Sequence, residues 1–331
     1  MKVHLFHLPL ALLGLIGTAS CTSSRSPLAP DTVATDLGAI GAGEGPAWKD
    51  GSLYFTDGQH INRRDADGKT TVFRHNASNG LLFDAAGRLT ACESGLRRVT
   101  RTEEDGTITV LASDFEGKRF NSPNDLCVNS KGDVYFTDPR YGSRKGMEIR
   151  DNQGRLIEGV YRINRPANLP SGLCMFAYDI PNVTLILGPE EVQRPNGILI
   201  SPDDRYLYIA DNNNNTRGGS RKLLRFTLNR HGRVQPGSRK VLFDWQDGRG
   251  PDGIKMDAAG RLYVAAGRNQ ANDFETTRFK AGCYIFSPHG RLLDFIPTAP
   301  DEATNCAFGG NEGDTLFITS GQHLWSVPLH R

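Results

Sequence analysis

One short residue pattern occurs six times along the 331-residue chain and limits the possible folds more than any other feature. Each copy begins with a polar residue, continues through a short apolar run and a turn that usually contains glycine, and ends in a run of β-forming residues. The segment from Asn124 to Asp138 shows all of these parts. The residues that begin the six copies are Glu44, Asn79, Asn124, Asn196, Asp252 and Asn305.

The copies begin 35, 45, 72, 56 and 53 residues apart, and this irregular spacing argues against a tight solenoid. It is typical of propeller blades that carry loop insertions of different lengths. A second β-rich pair follows most copies, with a turn such as Asp67-Gly68 or Asp105-Gly106 at its centre. Because Asp-Gly between β-forming runs is a strong hairpin signal, each copy predicts two hairpins and therefore four antiparallel strands.

The two ends of the repeated region complement each other. The last copy has a third strand from Leu324 to Leu329, and residues 34–40 form a further β-prone segment before the first copy. A strand from that segment would complete the last blade and leave no open sheet edge. We therefore predict an all-β fold in which residues 34–331 form a single six-bladed β-propeller, with the last blade closed by the N-terminal strand.

The first twenty residues differ in character from the rest. Lys2 is their only Lys, Arg, Asp or Glu, Leu5 to Ile16 is largely apolar, and small residues follow. This order is typical of a secretory signal peptide, and the apolar run is too short to span a membrane. We predict that residues 1–20 are a signal sequence and that the mature protein is exported by a bacterium.

Cys21 follows Ala19-Ser20 and resembles the lipid-modified cysteine of a bacterial lipobox, although Thr18 stands where leucine is usual. Ordinary signal cleavage is the alternative. Residues 21–33 are rich in serine and proline, which predicts a flexible tether. The expected location is the periplasm or the outer membrane, and the only expected membrane contact is a lipid anchor on Cys21.

The charge balance excludes one large class of partners. The chain has 39 Lys and Arg against 37 Asp and Glu, a net charge of +2 that falls to +1 without Lys2. Such a balance gives no electrostatic surface for nucleic acid. The sequence also lacks the G-x-S-x-G pattern of serine hydrolases and the phosphate-binding P-loop. A small-molecule partner is therefore expected.

The residues that begin the repeats predict a metal site. The innermost strand of a propeller blade lines the central channel, so these residues should form a ring at one mouth. Glu44 and Asp252 would repel each other there unless a cation lay between them. Together with Asn196 they offer the oxygen ligands of a hard divalent cation, Ca²⁺ first and Mg²⁺ or Mn²⁺ as alternatives. The competing interpretation is that each Asn-Gly or Asp-Gly pair only forms a turn.

Two further residues are candidate substrate contacts. The second strand of each blade runs back to the same rim, and Asp138 ends one such strand. His75 lies four residues before Asn79 and is predicted to face the same mouth. Variable loops such as 142–159 and 268–281 would set the choice of substrate.

Several stretches of the chain match one known family. They are Glu44–Trp48, Glu116–Asp125, Tyr135–Pro139, Arg194–Gly197, Pro251–Gly253 and Asn305–Gly310. At these residues the chain resembles the gluconolactonase/senescence-marker-protein-30 family, also called regucalcin-like, over roughly residues 35–331.

The resemblance implies a six-bladed propeller with one divalent metal at its centre. It implies Glu44, Asn196 and Asp252 as metal ligands, Asn124 as a substrate or metal contact, and Asp252 as the acid/base group. Animal members carry arginine two residues before Asn124, where this chain has Ser122. The bacterial gluconolactonase-like members are closer to this chain.

Together these observations predict metal-dependent hydrolysis of a sugar lactone, similar to gluconolactone, to its aldonic acid. The metal would polarise the lactone carbonyl, and a carboxylate, Asp252 or Asp138, would act as acid/base. One alternative is a non-catalytic, envelope-anchored propeller that binds sugar or acts as a scaffold and holds a structural ion. Another is a hydrolase of other lactones or esters.

Overall fold

A computed structural model of the protein describes residues 25–77, 79–164 and 183–329. The predicted signal sequence and Cys21 lie outside the described residues. The described residues form strands, turns and loops without a helical segment. No helix long and apolar enough to cross a membrane is therefore found in this part of the chain.

The described strands form six four-stranded antiparallel sheets, each built from strands that are consecutive in the chain except at the last blade. Blade 1 consists of β2 (Glu44–Lys49), β3 (Ser52–Thr56), β4 (His60–Arg64) and β5 (Thr70–His75). Blade 2 consists of β6 (Leu81–Phe83), β7 (Leu89–Glu93), β8 (Arg98–Thr102) and β9 (Ile108–Ala112). Blade 3 consists of β12 (Leu126–Val128), β13 (Val134–Asp138), β14 (Gly159–Ile163) and β15 (Val183–Leu187). A separate short hairpin joins β10 (Asp114–Phe115) to β11 (Lys118–Arg119).

Blade 4 consists of β16 (Pro195–Ile200), β17 (Tyr206–Asn212), β18 (Arg221–Thr227) and β19 (Lys240–Asp244). Blade 5 consists of β20 (Pro251–Met256), β21 (Leu262–Ala266), β22 (Gly282–Phe286) and β23 (Leu292–Pro297). Blade 6 has β24 (Ala303–Gly309), β25 (Thr315–Ser320) and β26 (His323–Pro328), and its outer strand is β1 (Thr35–Ala39). Thr35 pairs with Ser326 in this closure. The predicted six-bladed propeller with N-terminal closure is confirmed.

The core lies between neighbouring blades, because each sheet buries both faces against the next sheet. One cluster joins blades 4 and 5, where Tyr208 and Leu223 pack with Ile254 and Val264 around the fully buried Trp245. A second joins blades 5 and 6 through Ile285 and Ile318. This packing fixes the angle between blades and thus the positions of the loops at the channel mouth.

The later part of the predicted tether contacts the propeller. Ser26 donates a hydrogen bond to Asp294, Pro27 is buried, and Leu28 packs against the core between blades 5 and 6. These contacts lie beside the turn at Asp257, where the first strand of blade 5 ends. Residues 26–28 are therefore held on the face of the propeller opposite the start of the innermost strands.

Candidate active site at the channel mouth

A one-residue bulge sits at the start of three innermost strands. Two residues oppose one between Glu44 and Ala47, between Pro195 and Ile198, and between Pro251 and Ile254. A bulge breaks the regular alternation of a strand and re-aims the side chains within it. Asn196 and Asp252 lie within their bulges, and Glu44 is the paired residue directly before the bulge in blade 1.

Contacts between neighbouring blades bring the repeat-leading residues into one ring. The side-chain amide of Asn305 donates to Glu44 Oε2 at 2.9 Å, which joins blade 6 to blade 1. The backbone amide of Gly80 donates to the carbonyl of Asn124 at 2.7 Å, which joins blade 2 to blade 3. Thr137 donates to the carbonyl of Asn196 at 2.6 Å, which joins blade 3 to blade 4. The ring expected from the repeats is present at this mouth.

The carboxylates of Glu44 and Asp252 both have raised pKa values, and the charge of Glu44 acts on Asp252. Burial and the charge of Asp125 raise the pKa of Glu44 to about 7, against hydrogen bonds from Asn305 and Gly45. Burial and the charge of Glu44 raise the pKa of Asp252 well above its usual range. Carboxylates so placed retain protons near neutral pH unless another positive charge replaces them.

Arg249 partly compensates Asp252. Its Nη2 lies 2.7 Å from Asp252 Oδ2 and 3.0 Å from Glu302 Oε2. Burial opposes the charged guanidinium, but Glu302 and Asp252 outweigh that effect and raise the pKa of Arg249. The ion pair fixes one oxygen of Asp252 and leaves the other, Oδ1, buried without a hydrogen-bond partner.

Asn124 and Asp125 each have a side-chain oxygen that is unpartnered, like Oδ1 of Asp252. Asn124 Oδ1 and Asp125 Oδ2 are buried and have no hydrogen-bond partner in the described structure. The backbone of Asn124 is held by the carbonyl of Thr137 at 2.9 Å. Buried acceptors without a donor are costly, so their concentration at one place indicates a missing ligand.

Asn196 is held through its nitrogen. Its Nδ2 donates to the hydroxyl of Tyr141 at 2.9 Å, and the residue is only 5% exposed. An amide fixed in this way turns its oxygen away from the tyrosine.

The donor set is therefore mixed. Within the described ranges, no group of three or more His, Cys, Asp or Glu side chains is spaced to hold a metal ion. The site instead combines the Glu44 and Asp252 carboxylates with side-chain amides and the unpartnered oxygens beside them. These oxygens and the raised carboxylate pKa values fit a hard divalent cation.

The structure shows the surroundings of the two further predicted substrate contacts, Asp138 and His75. Asp138 is fully buried, and its two oxygens accept the backbone amides of Asn121 at 2.7 Å and Ser122 at 2.6 Å. It therefore shapes the loop that leads to Asn124. His75 is exposed at the end of β5, the outer strand of blade 1, where its ring packs edge-on against His60.

Three residues of the site were not predicted from the sequence. Asp125 carries a recognisable signal, because four of the other five repeats have glycine directly after the leading residue. Tyr141 and Arg249 lie in loops without any repeat period. The packing of neighbouring blades brings Tyr141 to Asn196, whereas Arg249 lies only three residues before Asp252 in the chain.

Gly197 offers a test of how closely the bulges must pack. A Cβ atom there would overlap the carbonyl oxygen of Asp252 in the neighbouring blade. We expect Gly197→Ala to lower the free energy of unfolding by about 3 kcal/mol, because overpacking forces the two strands apart. Urea denaturation measures the change. Gly95→Ala is the control, since a Cβ at Gly95 meets no atom within 4 Å, and equal losses for both variants would contradict the expectation.

The sequence matches the family model for the SMP-30/Gluconolactonase/LRE-like region over residues 42–322. A curated relative, the gluconolactonase of Zymomonas mobilis, is 31% identical over 264 residues, which cover 77% of this chain and 64% of that protein. The chain thus spans slightly less than two thirds of this relative's length.

Solved structures agree with this match. A gluconolactonase from Xanthomonas campestris superposes with a TM-score of 0.69 at 30% identity, covering 94% of this chain and 93% of that one. The calcium-binding protein regucalcin of Agrobacterium tumefaciens shares the fold, with a TM-score of 0.65 at 17% identity over 91% of this chain and 96% of that one. The resemblance seen in the sequence is confirmed: the chain belongs to the SMP-30/gluconolactonase/LRE-like family.

Proposed function

We propose that this protein hydrolyses a sugar lactone of the gluconolactone type to its aldonic acid with the aid of one divalent cation. The observation that carries the proposal is the pair of repelling carboxylates, Glu44 and Asp252, surrounded by unpartnered oxygens at the channel mouth. The similarity to proteins named gluconolactonases supports the same reaction class.

Glu44, Asn196 and Asp252 would hold the cation, with Asn124 beside them. Carboxylate and amide oxygens suit Ca²⁺, and they also suit Mg²⁺ and Mn²⁺. When bound, the cation would act as a Lewis acid on the lactone carbonyl.

Asp252 would move the proton. Arg249 fixes its Oδ2, while Oδ1 is free to accept a proton from the attacking water. The water oxygen bonds to the carbonyl carbon, the ring C–O bond breaks, and a proton passes to the former ring oxygen to give the hydroxy acid. Asn124 would orient the substrate through its unpartnered amide oxygen, which accepts from a substrate hydroxyl.

A pH-indicator assay tests the proposal. Glucono-1,5-lactone, δ-valerolactone and an aryl ester are each mixed with protein and Ca²⁺, and acid release is compared with the spontaneous rate. We expect acceleration of glucono-1,5-lactone opening beyond that rate. Turnover of only the other two compounds would move the proposal to a different lactone or ester. Binding of gluconate without any turnover would instead indicate a sugar-binding propeller.

A further inference from the structure

Tyr141 is fixed at the channel mouth from two sides. Its hydroxyl accepts a hydrogen bond from Asn196 Nδ2 at 2.9 Å, and its ring lies 5.3 Å from the guanidinium of Arg194. Arg194 is itself rigid, because it is 2% exposed and its Nε is bonded to Glu158 at 2.8 Å. A phenol held at both its oxygen and its ring face has little freedom to turn away.

The hydroxyl still has a hydrogen to donate. A tyrosine hydroxyl carries one donor, and accepting from Asn196 does not use it. The carbonyl of Asn212 is its acceptor at 3.4 Å, which is longer than an ordinary O–H···O bond. A better-placed ligand oxygen would therefore replace a weak bond rather than a strong one.

Tyr141 also differs from its neighbours in exposure. Asn196 and Asp252 are buried, whereas Tyr141 is partly exposed in the loop that follows β13. A molecule that reaches Asp252 through the mouth therefore passes the Tyr141 hydroxyl, which is a hydrogen-bond donor.

We propose that Tyr141 is a specificity-determining residue that donates a hydrogen bond to a ring hydroxyl of the lactone. Its hydroxyl is hydrogen-bonded to Asn196, a candidate metal ligand, so it lies beside the site where the lactone ring would be held. This inference rests on the proposed lactone hydrolysis and names the substrate feature that the site selects, a hydroxylated ring. A lactone without ring hydroxyls would gain nothing from Tyr141.

Tyr141→Phe tests this assignment, because it keeps the ring against Arg194 and removes only the O–H group. We expect kcat/KM for glucono-1,5-lactone to fall about tenfold, the effect of one lost hydrogen bond. The inhibition constant of δ-valerolactone, the same ring without hydroxyls, should stay within about twofold. Equal losses with both lactones would assign Tyr141 a purely structural role, and no loss with either would remove it from the site.

Tyr135→Phe is the matched control. Its hydroxyl donates to the carbonyl of Gly232 at 2.9 Å, in the turn between β18 and β19 of blade 4, and Tyr135 lies toward the end of β13 that is away from Asp138. It should leave both lactone parameters unchanged. If the wild-type protein opens no lactone, the proposed function fails, and calorimetry of gluconate binding to wild type and Tyr141→Phe then tests the tyrosine separately. Weaker gluconate binding in the variant supports the inference, and equal binding overturns it.

Discussion

Replacing Asp252 with asparagine is expected to lower kcat for lactone hydrolysis about a thousandfold while the propeller remains folded. The substitution keeps the size of the side chain and removes the group that accepts the proton. Arg249 is not left alone, because Glu302 still lies 3.0 Å from its Nη2. Steady-state kinetics at saturating cation and substrate give kcat, and a thermal melt verifies the fold.

Asp257→Asn is the control for this experiment. Asp257 lies just beyond the other end of β20 and pairs with Arg261 at 2.6 Å, on the opposite face of the propeller. It should leave kcat within about twofold of wild type, even where the lost ion pair lowers stability. An Asp252→Asn variant that retained more than about a tenth of wild-type kcat would contradict the role of Asp252 as the base.

Glu44→Gln is expected to weaken cation binding about a hundredfold, since it removes one of two carboxylates from the candidate site. The glutamine oxygen can still accept from Asn305 and Gly45, as Glu44 Oε2 does at 2.9 Å from each donor. The local hydrogen bonds are therefore preserved and the charge alone is lost. Calorimetric titration of Ca²⁺ into chelator-treated protein measures the affinity.

When no cation is present, Glu44→Gln should make the free energy of unfolding less dependent on pH. The pKa of Glu44 rises from 4.5 to about 7 on folding, so the folded protein keeps a proton that the unfolded chain has lost. Hence the free energy of unfolding of cation-free wild type falls as pH rises between these values, by up to about 3 kcal/mol from this group. Glu44→Gln lacks this contribution. Urea denaturation in chelator at pH 5 and pH 8 should show a smaller fall for the variant, and an equal fall would exclude Glu44 as its source.

The fold was predictable because its signal is local and repeated. The run from Asn124 to Asp138 encodes a strand, a turn and a returning strand without reference to the rest of the chain. Six such signals, and a β-prone segment left over at residues 34–40, admit few arrangements other than a closed ring. The three metal-ligand candidates followed from the same pattern, because each begins a repeat.

The surroundings of these residues were not predictable in the same way. His75 and Asn79 are close in sequence, but one ends an outer strand and the other precedes an inner strand. The chain crosses the width of a blade between them. Residues that are close in sequence are therefore far apart relative to the channel. Tyr141 and Arg249 lie in loops, where no repeat period marks them. The packing of neighbouring blades brings Tyr141 to Asn196, and Arg249 lies three residues before Asp252.

Lactone ring opening by protein that has been stripped of cations tests directly whether the hydrolysis requires a bound divalent cation. The protein is dialysed extensively against EDTA, assayed with glucono-1,5-lactone, and then titrated with Ca²⁺ in a metal-free buffer. We expect acid release to fall to the spontaneous rate and to return with one equivalent of bound Ca²⁺. Full activity of the dialysed protein in excess EDTA would contradict this expectation.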